Sequence, residues 1–131
     1  MGEPSNPKLI YVVDVNDDDR LLLEYDCENY GIDNCLRFFP GVDNLIQYYN
    51  TLGDRHPPGI ILLDGFMKEE PIGNAISILK SVSDYQAVPI VLMIGSKYEK
   101  EYFKPYNLNI SGYVVKPINV RILVRFLKMC Q

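Results

Sequence analysis

The sequence predicts an α/β fold in which five parallel strands form a doubly wound sheet with five helices. Five short apolar runs lack the alternation of one-sided strands, a pattern typical of strands buried on both faces of a parallel sheet. Between these runs lie stretches whose apolar residues have helical spacing, and the links are short. This alternation favours right-handed crossovers between parallel strands. The 131 residues suffice for one domain with a core and are too few for two. We therefore expect one domain over 8–131, a loose leader at 1–7 and no output domain on this chain.

The central predicted strand is the apolar run at 60–63, which leads directly into Asp64 and Gly65. Proline and glycine at 57–59 precede it, and such flanks are typical of a short buried strand. Pro89 stands near the start of the fourth run, where a missing N–H is tolerated. The five predicted strands cover residues 9–13, 35–39, 60–63, 88–94 and 111–115.

The predicted helices begin and end at residues that commonly cap helices. Polar residues at 16–19 mark the start of the first helix, Gly31 follows it, and Asn119 is the expected cap of the last. The stretch 96–106 is polar, aromatic and only weakly helical. The predicted helices cover residues 18–30, 42–52, 72–82, 96–106 and 119–129. For strictly alternating elements in a chain of this size, we expect the flavodoxin-like strand order 2-1-3-4-5.

The composition argues against several classes of protein. The formal net charge is −4 and no basic run occurs, whereas a nucleic-acid surface needs clustered Lys and Arg. No stretch approaches the ~20 apolar residues of a membrane span, and the N-terminus lacks the pattern of a signal peptide. Cys27, Cys35 and Cys130 have no metal-ligand spacing, which indicates reduced thiols. We expect a cytoplasmic protein without nucleic-acid or membrane partners.

Three charged residues follow predicted strands. Asp14 follows the first strand, Asp64 the third and Lys116 the fifth. Taking these three strands as neighbours, we expect the side chains to meet in one crevice at the carboxyl edge of the sheet. Two carboxylates suit Mg²⁺, and the ammonium suits the anionic oxygens of a phosphoryl group. Simpler interpretations stay open: Asp64 with Gly65 forms a turn, Asp14 caps a helix, and Lys116 is a solvated lysine.

Three segments resemble the receiver domains of bacterial two-component response regulators, and chemotaxis regulators in particular. They are SGYVVKP at 111–117, which carries a Lys-Pro pair, IILLD at 60–64 and VVD at 12–14. The resemblance extends over nearly the whole chain. It implies that Asp64 accepts a phosphoryl group from a histidine kinase or a phosphotransfer protein, and that Lys116 binds a phosphoryl oxygen.

The resemblance also implies a metal site and a switch. Asp14, Asp64 and the backbone carbonyl of Phe66 would hold Mg²⁺, and Tyr113 would be the switch aromatic on the fifth strand. Downstream partners would bind the face made by the fourth helix, the fifth strand and the fifth helix. A receiver catalyses only its own phosphorylation and dephosphorylation, so we do not expect an enzyme in the ordinary sense.

Two positions depart from the receiver pattern and make the expected site partly degenerate. Val15 stands where receivers have a second acid that binds the metal, and Ile94 stands where they have Ser or Thr. Losing a carboxylate should weaken Mg²⁺ binding, because hard cations gain most from charged oxygen ligands. We interpret the acids at 17–19 as the solvated start of a helix. A secondary interpretation is that a residue in the stretch 16–19 replaces the missing metal ligand.

Two functions of different class follow. The first is a stand-alone receiver in phosphorelay signalling that is phosphorylated on Asp64 and signals through protein contacts. The alternative is a degenerate receiver that binds proteins independently of phosphorylation. A flavin-binding flavodoxin is disfavoured, because no Ser/Thr/Gly-rich phosphate loop follows the first strand.

An aromatic group near the fourth helix forms either an interface or packing for the fifth strand. Its members are Tyr98, Tyr102, Phe103 and Tyr106.

Overall fold

The computed structural model describes residues 8–51, 53–54, 56–67 and 70–130. Within them, five strands alternate with five α-helices, which confirms the predicted fold class. The strands are β1 (Ile10–Val13), β2 (Leu36–Phe39), β3 (Ile60–Asp64), β4 (Ile90–Ile94) and β5 (Gly112–Val115). The helices are α1 (Asp17–Tyr30), α2 (Val42–Thr51), α3 (Ile72–Ser81), α4 (Glu99–Phe103) and α5 (Val120–Cys130). The predicted leader at 1–7 and Leu52, the predicted last residue of the second helix, lie outside the described residues.

All four strand pairs are parallel, and the order is β2-β1-β3-β4-β5, as predicted. The expectation that the first, third and fifth strands are neighbours is wrong for the fifth. The strand β4 lies between β3 and β5, and β5 forms an edge of the sheet. A side chain at the end of β5 must therefore cross the end of β4 to reach β3.

Helices cover both faces of the sheet. The central strands β1, β3 and β4 are buried along their whole length, and successive side chains point to opposite faces. On one face, strand residues pack with α2, α3 and Phe103; on the other they pack with α1 and α5. The continuous apolar runs of the sequence thus correspond to strands with two covered faces.

The ends of α1 follow from its capping residues. The Asn16 side chain accepts a hydrogen bond from the Asp19 N–H at 2.9 Å, and Gly31 ends the helix in the left-handed conformation with φ 81°. At the other end of the chain, the Asn119 side chain accepts from the Ile122 N–H at 3.1 Å and caps α5 as predicted. The weak helical pattern at 96–106 corresponds to the five-residue α4 followed by a 3-10 turn. In the part of the chain that the structure describes, no helix combines the length and the apolar character needed to cross a bilayer.

Lys80, near the end of α3, holds the connection to β4 in place. Its Nζ donates to the backbone carbonyls of Tyr85, Gln86 and Val88 at 3.4, 3.1 and 2.6 Å. Burial lowers the pKa of the Lys80 ammonium. Three carbonyl oxygens of this connection thus share one cation, and the carbonyl of Tyr85 also accepts the Val88 N–H at 3.1 Å.

We expect the substitution Lys80→Met to lower the free energy of unfolding by about 1–2 kcal/mol, because the charge-assisted hydrogen bonds are lost while the alkyl stem is kept. Urea denaturation would measure the change. Lys128→Met, at an exposed position of α5, is the matched control and should change stability little. Equal losses in the two variants would contradict a specific role for Lys80.

Candidate functional site

Two carboxylates lie side by side at the carboxyl edge of the sheet. Asp14 directly follows β1 and Asp64 ends β3, and the pairing of Val13 with Leu63 brings the two strand ends to the same level. They are 4% and 6% exposed, and among the described residues they are the charged side chains classed as buried. Burying two carboxylates is costly unless a cation accompanies them.

Lys116 supplies that cation from the end of β5. Its Nζ lies 3.2 Å from Oδ1 of Asp14 and 3.4 Å from Oδ2 of Asp64. The Lys116 N–H donates to the carbonyl of Ile94 at 2.7 Å, and the Lys116–Pro117 peptide is cis. The structure thus brings together the three charged residues that the sequence places at strand ends, although β5 is separated from β3.

The cluster carries one more negative charge than positive. Burial raises the pKa of Asp64, and the nearby Lys116 opposes this rise without cancelling it. Burial lowers the pKa of Lys116, but the charges of Asp64 and Asp14 outweigh it and raise the pKa overall. Lys116 is therefore held as an ammonium between two acids, and one ammonium does not balance both.

Each carboxylate also accepts one backbone N–H. Oδ1 of Asp14 accepts from Asn16 at 2.9 Å, and Oδ1 of Asp64 accepts from Phe66 at 3.2 Å. Asn16 caps α1, so the simpler interpretation of Asp14 as the cap of that helix is wrong. The loops after β1 and β3 are thus tied to the carboxylates that precede them.

The two degenerate positions differ in their surroundings. Val15 is 40% exposed at the rim of the site, where a hydrocarbon side chain offers no ligand atom. Ile94 is 1% exposed and belongs to the same buried cluster as Leu63, Leu92 and Phe103. The predicted switch residue, Tyr113, is partly buried and packs against this cluster.

The sequence leaves open whether the aromatic group near α4 forms an interface or packs against the fifth strand, and its members differ in this respect. Phe103 is buried and its ring stacks with Tyr113, with centroids 6.4 Å apart and an interplanar angle of 28°. Tyr98, Tyr102 and Tyr106 are exposed. One member therefore packs inside, and three are available to a partner.

Sequence reasoning did not single out Asp19. Its Oδ2 lies 3.9 Å from Nζ of Lys116, and its side chain is 57% exposed. The signal in the sequence was the acidic run at 17–19, but three consecutive acids in a helix point in different directions, and only the folded backbone shows which one faces the site.

The negative charge of this site suits a divalent cation, but the side chains do not form a complete set of metal ligands. Two buried carboxylates with a net negative charge are the chemistry that hard cations prefer. Among the residues that the structure describes, however, no group of three or more His, Cys, Asp or Glu side chains could hold a metal ion. A cavity of about 670 Å³ lies beside the site, and Val15 and Phe66 are among the residues that line it.

Comparisons with known proteins agree with this architecture. No family model and no curated protein matches the sequence, but solved structures do. The bacteriophytochrome response regulator AtBRR has a TM-score of 0.74 at 19% identity, over 95% of this chain and 92% of that one. The chemotaxis response regulator CheY4 of Vibrio cholerae has a TM-score of 0.72 at 15% identity, over 96% and 100%. The Mn²⁺-bound response regulator Rcp1 has a TM-score of 0.62 at 22% identity, over 95% and 90%. The chain therefore has the fold of response regulator receiver domains.

Proposed function

We propose that this chain is a receiver domain that accepts a phosphoryl group on Asp64 from a histidine kinase or a phosphotransfer protein, and then signals through protein contacts. The observation that carries the proposal is the contact of Lys116 with two buried carboxylates at the carboxyl ends of β1 and β3. A structural ion pair needs one acid. Lys116 does not balance the charge of the second buried acid, and this supports the binding of a further cation in the proposed function.

The chemical step is a phosphoryl transfer. A carboxylate oxygen of Asp64 attacks the phosphorus of a phosphohistidine, and an O–P bond forms as the N–P bond breaks. The electron pair of the broken bond goes to the imidazole nitrogen, which takes a proton from solvent. Lys116 lies 3.4 Å from Asp64 and is positioned to pair with an oxygen of the transferred group. Hydrolysis later returns the carboxylate and releases phosphate when water attacks the phosphorus.

The metal in this proposal is Mg²⁺, held by the carboxylates of Asp14 and Asp64 and the backbone carbonyl of Phe66. Bound there, it would neutralise charge on the phosphoryl oxygens. We expect weak binding, because Val15 provides no ligand and hard cations depend on charged oxygens. The response regulator Rcp1, which has the same fold, was solved in a Mn²⁺-bound form, and this supports a divalent cation as a ligand of the present chain.

The remaining parts of the proposal concern partners and location. Exposed Tyr98, Tyr102 and Tyr106 support a protein partner at the face of α4, β5 and α5. The three cysteines are free thiols, which supports the cytoplasm as the site of action. The chain would act on no substrate besides its own phosphoryl group.

A phosphorylation-independent binding module is the second candidate function, and Ile94 favours it. Receivers couple phosphorylation to the fifth strand through a hydroxyl at this position, and Ile94 has none. Ile94 is also 1% exposed and belongs to a buried apolar cluster, and this supports a position that suits an apolar side chain. The exposed tyrosines would serve such a module equally well.

A chain of aromatic contacts offers a different route from Asp64 to β5. The Phe66 N–H donates to Asp64, and the Phe66 ring centroid lies 5.0 Å from that of Phe103. Phe103 in turn stacks on Tyr113, and a Cβ added at Gly65 would lie 3.2 Å from its ring. The loop after Asp64 and the ring of Phe103 are thus in close contact. We propose that Phe66, Phe103 and Tyr113 replace the missing hydroxyl as the switch.

The first prediction concerns the phosphoacceptor. Incubation with acetyl phosphate and Mg²⁺ should give a single phosphoryl adduct, measured by intact mass after a cold quench. Asp64→Asn should abolish the adduct, and Asp18→Asn, an exposed acid of α1 with the same change of charge, should retain it. Asp64→Asn should be at least as stable as the parent protein, because it removes one of two buried carboxylates that share one ammonium.

The outcomes separate the two candidate functions. A Mg²⁺-dependent adduct on Asp64 supports the receiver. An adduct that survives in Asp64→Asn would contradict the site assignment. No adduct at high Mg²⁺ would favour the binding module and reject the phosphoacceptor.

The second prediction concerns the aromatic route. In ¹⁵N-labelled protein, acetyl phosphate should shift the amide signals of Tyr113 and Val115, and Phe103→Leu should suppress most of that shift while the adduct still forms. The physical reason is that leucine keeps the core apolar but loses the ring contacts. Tyr98→Leu, outside the chain of contacts, is the control. Full shifts in Phe103→Leu would show that the signal travels another way.

A further inference from the structure

The helices α1 and α5 lie on the same face of the sheet and carry opposite charges. They contact each other and pack on the same strand residues. The helix α1 has six acidic residues and one basic residue, Arg20. The helix α5 has three basic residues and no acidic one. Because the formal net charge of the chain is −4, α1 alone is more acidic than the whole protein. We call the solvent side of these two helices the α1/α5 surface.

The charges of the α1/α5 surface are not paired within the described part of the chain. On α5, Arg121, Arg125 and Lys128 are exposed and lie four and three residues apart, which places them along one side of the helix. None of them forms a salt bridge with a described acid. The same holds on α1 for Glu24 and Glu28 with respect to the described basic residues. Both sets of charges are therefore available to a partner.

Large apolar side chains are exposed among these charges. On α1, Leu21, Leu22 and Tyr25 are 58%, 62% and 62% exposed, and on α5 Met129 is 74% exposed. Single exposed apolar residues are ordinary, but two adjacent leucines with a tyrosine one turn later form a continuous apolar strip on the outside of α1. Such a strip beside charged residues is typical of a surface that binds protein.

A surface with one acidic and one basic half is complementary to a second copy of itself. Both helices follow parallel strands and pack back on the sheet, so they run in roughly the same direction. A two-fold axis parallel to the helices lays α1 of each protomer on α5 of the other, and acids meet bases twice. A two-fold axis across the helices would lay α1 on α1, where like charges repel. The charges thus select the first arrangement.

We propose that the α1/α5 surface joins two copies of this chain, with α1 of each protomer packed on α5 of its partner. The inference does not depend on phosphorylation of Asp64. Helices of 14 and 11 residues form a face only about 20 Å on each side. Since each partner in a stable complex buries about 800 Å², we expect a weak dimer with a Kd on the order of 100 μM.

Sedimentation velocity of the full chain, from about 10 μM to about 1 mM protein, measures this association. The dimer fraction should rise with protein concentration at about 0.1 M salt. The Kd should rise at about 1 M salt, because the Debye length falls from about 10 Å to about 3 Å. A parent protein that stays monomeric over this range at the lower salt concentration would overturn the inference.

Reversing one charge on either helix locates the interface. Arg125→Glu on α5 and Glu28→Lys on α1 should each raise the Kd about tenfold or more, because each substitution enters a two-fold interface twice. Lys100→Glu, at an exposed position of α4, is the control and should leave the Kd unchanged. Circular dichroism should be the same in all three variants, since all three positions are exposed. A dimer that neither reversal weakens would place self-association on another face.

Mixing the two weakened variants tests the exchange of helices. A dimer of Arg125→Glu with Glu28→Lys contains one unaltered contact, between α1 of the first and α5 of the second. The equimolar mixture should therefore associate more tightly than either variant alone. Packing of α1 on α1 and α5 on α5 would restore no unaltered contact pair. A mixture that associates no better than its components would contradict the proposed arrangement.

Discussion

The contact of Lys116 with Asp14 and Asp64 is the interaction on which the rest of the site depends. Each buried carboxylate would cost several kcal/mol without a partner, and one ammonium within 3.4 Å serves both. The lysine comes from an edge strand, and its long side chain must pass the end of β4 to reach β3. The strand order thus leaves Lys116 within reach of both carboxylates, and their contacts connect the ends of three strands.

The same arrangement suits the phosphoryl transfer that we propose for this site. The acids end strands that are buried on both faces and cannot move far, whereas Lys116 is partly exposed and has a flexible stem. A fixed anionic pair with a movable cation can exchange part of its ammonium contact for a metal ion or a phosphoryl oxygen. In the proposed function, fixed carboxylates and a flexible ammonium suit a phosphoryl group that is bound and later released.

Most of the fold could be predicted from the sequence, because apolar runs and capping residues act locally. Asp14, Asp64 and Lys116 were found for the same reason, since the end of a strand is set by its apolar run. Features that depend on distant packing were missed. The three carbonyls held by Lys80 lie five, six and eight residues after it, but the shape of the turn that gathers them has no pattern in the sequence. The position of Phe103 between the loop after Asp64 and β5 is likewise a tertiary contact, and treating β5 as a neighbour of β3 was an error of topology.

The two departures from the receiver pattern have unequal consequences because they differ in burial. Val15 is exposed, so an oxygen ligand can return to that rim from a neighbouring residue or by substitution without disturbing the core. Ile94 is 1% exposed and belongs to the buried apolar cluster that also contains Leu63, Leu92 and Phe103, and a hydroxyl placed there would lose its contact with water. Restoring threonine there would thus cost stability before it could restore a switch. A metal ligand could thus be added at the exposed rim, whereas in the proposed aromatic route the link to β5 runs through the buried ring of Phe103, which contacts both Phe66 and Tyr113.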